Sequence, residues 1–531
     1  MKNIKIYLLT ILGAFSLTNC SDSFLDSEPT IGLTDGNYYQ TIDDAEEAII
    51  GCYDGIQQLY ASGVAFPVAS EVLSDNCYGG TGNNDSYGYQ VIDEFDLNRS
   101  SGEVNIFDNN WINSYKAIFR CNMLLSKMDD IDWEGDEDYR ANIEAQARFL
   151  RAYVYFDMVR LFERVPLLTE PQDGNIPQSE PDEIYSVITE DLLYVAENAP
   201  ETVEAGRVNR WAAKSLLARV FLFYTGYYSS DDLVGLVSKA EVLAGLEEVI
   251  ASGYYSLISE YPDLWPAASS EISEDGETLE TTYAGKDNAE TIFAIKYNIT
   301  SDYDGNTDGN HWLVMLGLRA QAFSPYGRGW GACTVNPELY AAYTANDTRK
   351  ESSIIAIAEE GLEFDNSDQR EYTGYTNKKY TPLANPDGTD VAVANGATDF
   401  QIGQFQDFVV IRYADVLLMA AELGSANGQT YYDMIRQRAG LGTKALTQAN
   451  IMAERRLEFA FEGLRYWDLL RQGVDVAAAA IDDNLTVMNG GVSESKSIEA
   501  SDVTKTRGFQ MIPQNQITQS DGVLEQNAGW E

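Results

Sequence analysis

Hydrophobic positions recur at helical spacing through most of the chain. Over 43–61, Asp43 and Asp44 open a segment in which Ala45, Ala48, Ile49, Cys52, Ile56 and Leu59 return every three or four residues. That spacing puts them on one face of a helix, and the early carboxylates suit its positive N-terminal end. Helices are predicted likewise over 107–128, with Trp111, Tyr115, Ile118 and Leu125 on one stripe, and over 139–162. In the latter, Ala147, Leu150, Val154, Met158 and Leu161 form one face, and Phe149, Tyr153 and Phe156 form a second. A helix apolar on two faces needs neighbours on two sides.

Further helices are predicted at 181–197, opened by Pro181 and stopped before Pro200, at 207–228, and at 237–252, ended by Gly253. The period returns at 412–425 and at 447–472, the latter capped by Thr447 and closed by Gly473. Between 254 and 410 it fails. Gly, Asn, Asp, Ser and aromatic residues dominate there, with short strand-like runs at 291–297 and 408–411. The expectation is a mainly α protein of stacked helical hairpins. Its parts are a helical 41–253, an irregular 254–410 and a helical 411–531. Long irregular segments in compact proteins usually carry binding sites.

The first residues have a different pattern. Lys2 and Lys5 precede an apolar run from Ile6 to Leu17, too short to span a bilayer and suited to a signal sequence. Leu17-Thr-Asn-Cys20 follows directly and is similar to a bacterial lipobox. The reading is a cleaved signal peptide over 1–19, lipidation at Cys20 and a tether over 20–40. Acyl chains on one cysteine would be the only contact with the membrane.

Composition narrows the function. Of 531 residues, 44% are hydrophobic and 22% charged, a globular balance. Lys and Arg number 36 against 83 Asp and Glu, a net charge of −47. Such a surface repels phosphate backbones, which argues against nucleic-acid binding and favours neutral ligands. The one histidine, His311, removes two-His metal sites. Five cysteines without a CxxC pair make no disulfide framework.

Several segments together resemble the SusD/RagB family of outer-membrane nutrient-binding lipoproteins. They are Cys20-Ser-Asp-Ser-Phe-Leu-Asp26, Ala147-Arg-Phe-Leu-Arg-Ala-Tyr-Val-Tyr-Phe156, Ala212-Ala-Lys-Ser-Leu-Leu-Ala-Arg-Val-Phe221 and Arg412-Tyr-Ala-Asp-Val-Leu-Leu-Met-Ala-Ala-Glu422. The run from Glu454 to Arg471, then Ile512-Pro-Gln-Asn-Gln-Ile517 and Gln526-Asn-Ala-Gly-Trp530, complete the resemblance in order along the chain. It implies a tetratricopeptide-like scaffold with an irregular ligand face. It also implies a SusC-like TonB-dependent porin as partner, and an outer-membrane location facing the cell exterior.

In the predicted helix 447–472, Glu458, Glu462 and Arg465 share a face, with Arg455 one turn from Glu458. Two carboxylates on one face are the raw material of a glycoside hydrolase. Arginines one turn away would keep both ionised, whereas a general acid needs a raised pKa. An ion-pair network is therefore the expectation here, and no catalytic residue is assigned.

A sugar is held by an aromatic platform under its C–H face and by planar polar groups at its hydroxyl rim. Two Gly/Asn-rich stretches offer both. In 74–89 the candidates are Asp75, Asn76, Tyr78 and Tyr89; in 283–330 they are Tyr283, Trp312 and Trp330. Asp304-Gly-Asn306-Thr-Asp308-Gly309 matches the opening of a calcium loop, but Met315 stands where the closing Glu belongs. A self-bonded turn is the alternative there, and no other cofactor is expected. The leading expectation is a non-catalytic glycan-binding lipoprotein. The alternatives are an α-helical glycoside hydrolase and a protein-binding adaptor.

Overall fold

The computed structural model describes residues 38–61 and 64–531. The signal peptide 1–19, Cys20 and nearly all of the tether 20–40 lie outside the described residues. The first helix, α1 (Ile42–Gln58), begins where Thr41 and Asp44 cap each other: the Asp44 amide donates to Thr41 Oγ1, and the Thr41 amide donates to the Asp44 carboxylate at 2.9 Å. Then come α2 (Asp108–Lys127), α3 (Glu137–Phe162), α4 (Pro181–Asn198), α5 (Arg210–Tyr228) and α6 (Lys239–Ala251). Each packs on the next, and α1 also packs on both α2 and α3.

From Ala145 to Phe162, α3 is buried at nearly every position, as its two apolar faces demand. A deeply buried pair ties it to α4: Arg151 Nε and Nη2 each donate to the Asp191 carboxylate at 2.8 Å. Two planar donors on two carboxylate oxygens fix the angle between the helices as well as holding the charge.

The irregular stretch is bracketed by two strands. Thr291–Ile295 and Phe408–Arg412 pair antiparallel, with Phe408 opposite Ile295. Between them lie short helices, among them α7 (His311–Leu316), and three strands of a four-stranded sheet. Its strand order is Cys77–Tyr78, Thr334–Val335, Tyr375–Asn377, Ile354–Ala356. The C-terminal part holds α8 (Tyr413–Glu422), α9 (Gly428–Arg438), α10 (Gln448–Glu458) and α11 (Arg465–Leu470). Because α8 also packs on α6, the two helical parts form one scaffold.

One predicted helix is two. The segment 447–472 stops at Glu458 and restarts at Arg465, with positive φ at Phe461 (68°) and Gly463 (74°). Glu458 and Glu462 both turn inward and share Arg412, while of the two Arg349 reaches only Glu458, and Lys379 donates to the Glu462 carboxylate. Arg465 does not share their face, and Arg455 pairs with Asp415 and Asp468 instead of Glu458.

Candidate functional site

The two Gly/Asn-rich stretches meet. Cys77 and Tyr78 pair in register with Val335 and Thr334, and the Thr81 amide donates to the Gly331 carbonyl at 2.7 Å. Gly80 makes the crossing feasible. Its φ is +67°, and a Cβ there would stand 2.2 Å from the Gly331 oxygen.

That seam buries most of the candidates from 74–89. Arg465 donates from Nε and Nη2 to Asp75 Oδ1 and Oδ2, at 2.7 and 2.9 Å, while Arg456 Nη2 sits 3.1 Å from Oδ2. Burial alone would raise the Asp75 carboxyl, but the two arginines hold it below its usual range. Asn76 is fully buried, donating to Glu71 at 3.2 Å and accepting from Arg456 Nε at 3.0 Å. The Tyr78 hydroxyl donates to Asp483 at 2.6 Å from a ring that is 2% exposed. Trp312 is fully buried, with its ring centroid 5.1 Å from that of Tyr380 and 5.4 Å from that of Phe408. These four are supports of the face, not its surface. Their residue types fit a ligand site equally well, but here the core and its ion pairs have taken them.

Trp330, Tyr89 and Tyr283 remain half-buried. The Trp330 ring meets His311 edge-on, centroids 5.1 Å apart, and His311 Nδ1 lies 2.7 Å from the Gln401 carbonyl oxygen. Burial pushes the His311 pKa down. One residue before Gln401, Phe400 carries the Arg328 guanidinium 4.0 Å above its ring. Tyr303, 69% exposed, stands by Asp399 in the same neighbourhood. Tyr89 touches Met315 Sδ through its hydroxyl at 3.3 Å.

Beside this surface opens a cavity of about 230 Å³. Tyr283, Phe405, Leu313 and Leu383 wall it, with Lys286 and Thr381 as polar members. Lys286 is held by the Tyr297 carbonyl at 2.7 Å and by Asp407 at 3.0 Å. The buried Thr381 hydroxyl has no partner within the protein among the described residues. Aromatic walls with a few polar groups are the chemistry of a sugar-sized site. A larger open groove of about 700 Å³, including Trp111, Tyr115 and Phe119, contains none of the candidate glycan-binding residues.

Tyr303, Phe400 and Phe405 were missed by sequence reasoning. The rule that found Trp330, an aromatic inside an irregular polar stretch, applies to all three. Tyr303 was eclipsed by the calcium pattern around it. In that loop Asp302 accepts from the Asp304 and Asn306 amides, and Asn306 accepts from the Asp308 amide. Asp308 accepts from Thr300 at 2.9 Å. The loop bonds itself, and among the described residues no three His, Cys, Asp or Glu side chains converge as metal ligands.

The paired carboxylates are sealed. Arg412 donates to Glu290, Glu458 and Glu462 at 2.6–2.7 Å, Arg349 donates to Glu458 at 3.1 Å, and Lys379 donates to Glu462 at 2.8 Å. Burial would raise the Glu458 carboxyl, but Arg438, Arg412 and Arg349 override it and hold it far below the usual range. Burial lowers Lys379 to about 8. The ion-pair expectation is met with other partners than those expected, and neither Glu458 nor Glu462 is open to a substrate.

The fold is thus a helical scaffold of the tetratricopeptide-like kind, carrying a loop-built aromatic face. The family description "SusD family" matches residues 363–530, and "Starch-binding associating with outer membrane" matches 23–222. The chain belongs to the SusD-like family. It is 24% identical over 510 residues to SusD-like protein P2 of Formosa agariphila, covering 89% of this chain and 91% of that one. A SusD-like protein of Bacteroides ovatus is 23% identical, with 85% and 79% covered. Among solved structures, a "Laminarin binding SusD-like protein" is 26% identical with a TM-score of 0.72, covering 93% of this chain and all of that one. Surface glycan-binding protein A from Bacteroides thetaiotaomicron, solved with laminarihexaose, is 23% identical with a TM-score of 0.73, covering 92% of this chain and all of that one.

Proposed function

We propose that this chain is a non-catalytic outer-membrane lipoprotein that captures a neutral oligosaccharide on its loop-rich face. The observation that carries this is the half-exposed Trp330 ring, framed by His311 and by the Phe400–Arg328 pair, near a cavity walled by Tyr283 and Phe405. Family membership and the laminarin-binding neighbour support a glycan as ligand. The net charge of −47 favours a neutral one. Anchorage through Cys20, exposure to the cell exterior and delivery to a SusC-like TonB-dependent porin are parts of the same proposal, supported by the sequence up to Cys20 and by family membership. The burial of Glu458 and Glu462 removes the clearest route to a hydrolase.

Affinity gels loaded with neutral and acidic polysaccharides test the reading, with laminarihexaose as the soluble probe. Retardation on a neutral glycan without release of product sugars is expected. Passage through every gel, or sugars accumulating with time, would overturn it. Replacing Cys20 with Ala should release the protein from membranes, and the porin should copurify with the wild type.

A further inference from the structure

Cys52 on α1 and Cys121 on α2 face each other across a close helix contact. A Cβ on Gly55 would stand 3.2 Å from the Ala117 Cα, so the two backbones nearly touch there. Residue numbers rise along one helix as they fall along the other. Cys52 and Cys121 are therefore the next facing pair, about one turn away. Both side chains are fully buried and the thiols interact directly. We propose that Cys52 and Cys121 are joined by a disulfide in the exported protein.

Four cysteines allow three pairings, and the fold selects among them. Cys77 lies opposite Val335 in its sheet, so Cys333 is its diagonal neighbour. Their side chains interact as well, so Cys52–Cys121 and Cys77–Cys333 belong to one pairing scheme. Cys52–Cys121 is the proposed bridge because the glycine contact between its helices brings the two backbones close. The inference rests on the outer-membrane reading, because only an exported chain meets an oxidising compartment.

The chemistry is thiol–disulfide exchange with a disulfide-bearing oxidant. Two S–H bonds break and one S–S bond forms. The oxidant's S–S bond breaks as well, and the two protons and two electrons end on its sulfurs, leaving it a dithiol. A buried thiol with a raised pKa is a poor nucleophile. The bridge therefore closes while α1 and α2 are still docking. In the folded state it gains nothing from added oxidant. It closes the chain from 52 to 121 and so restricts the unfolded state.

Peptide mapping of the membrane-borne protein decides it. Thiols are alkylated without reduction, and the chain is digested with trypsin and a glutamate-specific protease. The second enzyme is needed because only Glu71, and no Lys or Arg, separates Cys52 from Cys77. A Cys52 fragment linked to Cys121–Lys127 is expected, and it should disappear on reduction. Alkylated Cys52 and Cys121, or either one linked elsewhere, would overturn the proposal. Refolding the reduced chain in a glutathione thiol–disulfide buffer, followed by the same digest, tests the pairing independently of export. Glycan retention by that preparation reports separately on the proposed function. The Cys52→Ala/Cys121→Ala variant should melt several degrees below the oxidised wild type and level with the reduced one.

Discussion

Asp75 and Arg465 form a two-pronged ion pair across 390 residues of sequence, Nε to Oδ1 at 2.7 Å and Nη2 to Oδ2 at 2.9 Å. It ties the loop after the helix Phe66–Val72 to the start of α11. It also gives the Asp75 carboxylate partners inside the protein, which its Gly/Asn-rich context did not predict. Removing one member of a buried pair leaves the other's charge uncompensated, which costs about 3–5 kcal/mol.

Asp75→Ala should therefore lower the unfolding free energy by about 3–5 kcal/mol. Under conditions where the variant is still folded, its glycan affinity should stay within about twofold of wild type, since a supporting residue changes binding less than a platform does. Chemical denaturation and calorimetry on one preparation check both halves. A stable protein with lost affinity would restore Asp75 to the site.

The two tryptophans separate support from platform. Trp330→Ala should weaken oligosaccharide binding by about 2 kcal/mol or more, the signature of a hot spot, and leave stability nearly unchanged. Trp312→Ala should do the reverse, costing about 3–5 kcal/mol of stability through the cavity it opens against Tyr380 and Phe408. For the neutral ligand proposed, wild-type affinity should change little as salt is raised. Titration calorimetry at two salt concentrations, with melting curves alongside, gives all the comparisons.

The scaffold was legible because its signal is periodic. The bounds of α2, Asp108–Lys127, fall within a residue of the expected 107–128, and the strands at 291–297 and 408–411 are both present. That those strands pair with each other was not legible, since nothing local in sequence encodes a partner more than 100 residues away. The break between α10 and α11 was hidden for a related reason. Glu458 and Glu462 fit a helical face, and the positive φ at Phe461 and Gly463, which breaks the helix before Arg465, depends on tertiary packing. Within the site, residue type and irregular context picked out Trp312 and Trp330 alike. Burial separates them, and burial is a tertiary property.

Glu71 links the same seam to the break between α10 and α11, accepting from Asn76 Nδ2 at 3.2 Å and from the Gly463 amide at 3.0 Å. Burial raises its carboxyl from 4.5 to about 7, against the pull of those donors. The folded protein therefore holds one more proton than the unfolded chain between roughly pH 4.5 and 7. Over that window this group makes stability fall as pH rises. Its contribution is fully present below the unfolded value and lost above the folded one, a span of about 3 kcal/mol. Glu71→Gln keeps an acceptor for Gly463 and has no proton to lose. Denaturant melts at pH 4.5 and 7.5 should show a wild-type decline that the variant lacks. Equal declines would mean that Glu71 titrates normally.

Thr381 offers the most selective test of the cavity. Its hydroxyl is buried against Tyr283, Phe405 and Leu383 and has no partner within the protein among the described residues. A buried hydroxyl left unpaired costs about 1–3 kcal/mol. Valine has nearly the same shape without that group. Thr381→Val should therefore leave stability of the free protein unchanged or raise it by about 1 kcal/mol. If a sugar hydroxyl enters the cavity, it supplies the missing hydrogen bond and the same variant loses it. Affinity should then fall by about 1 kcal/mol, roughly fivefold. The two effects have opposite signs, so misfolding cannot imitate the result. Calorimetry with laminarihexaose, or with whichever neutral glycan the gels identify, supplies the second number. Unchanged affinity together with raised stability would place the ligand outside the cavity, on the Trp330 surface alone.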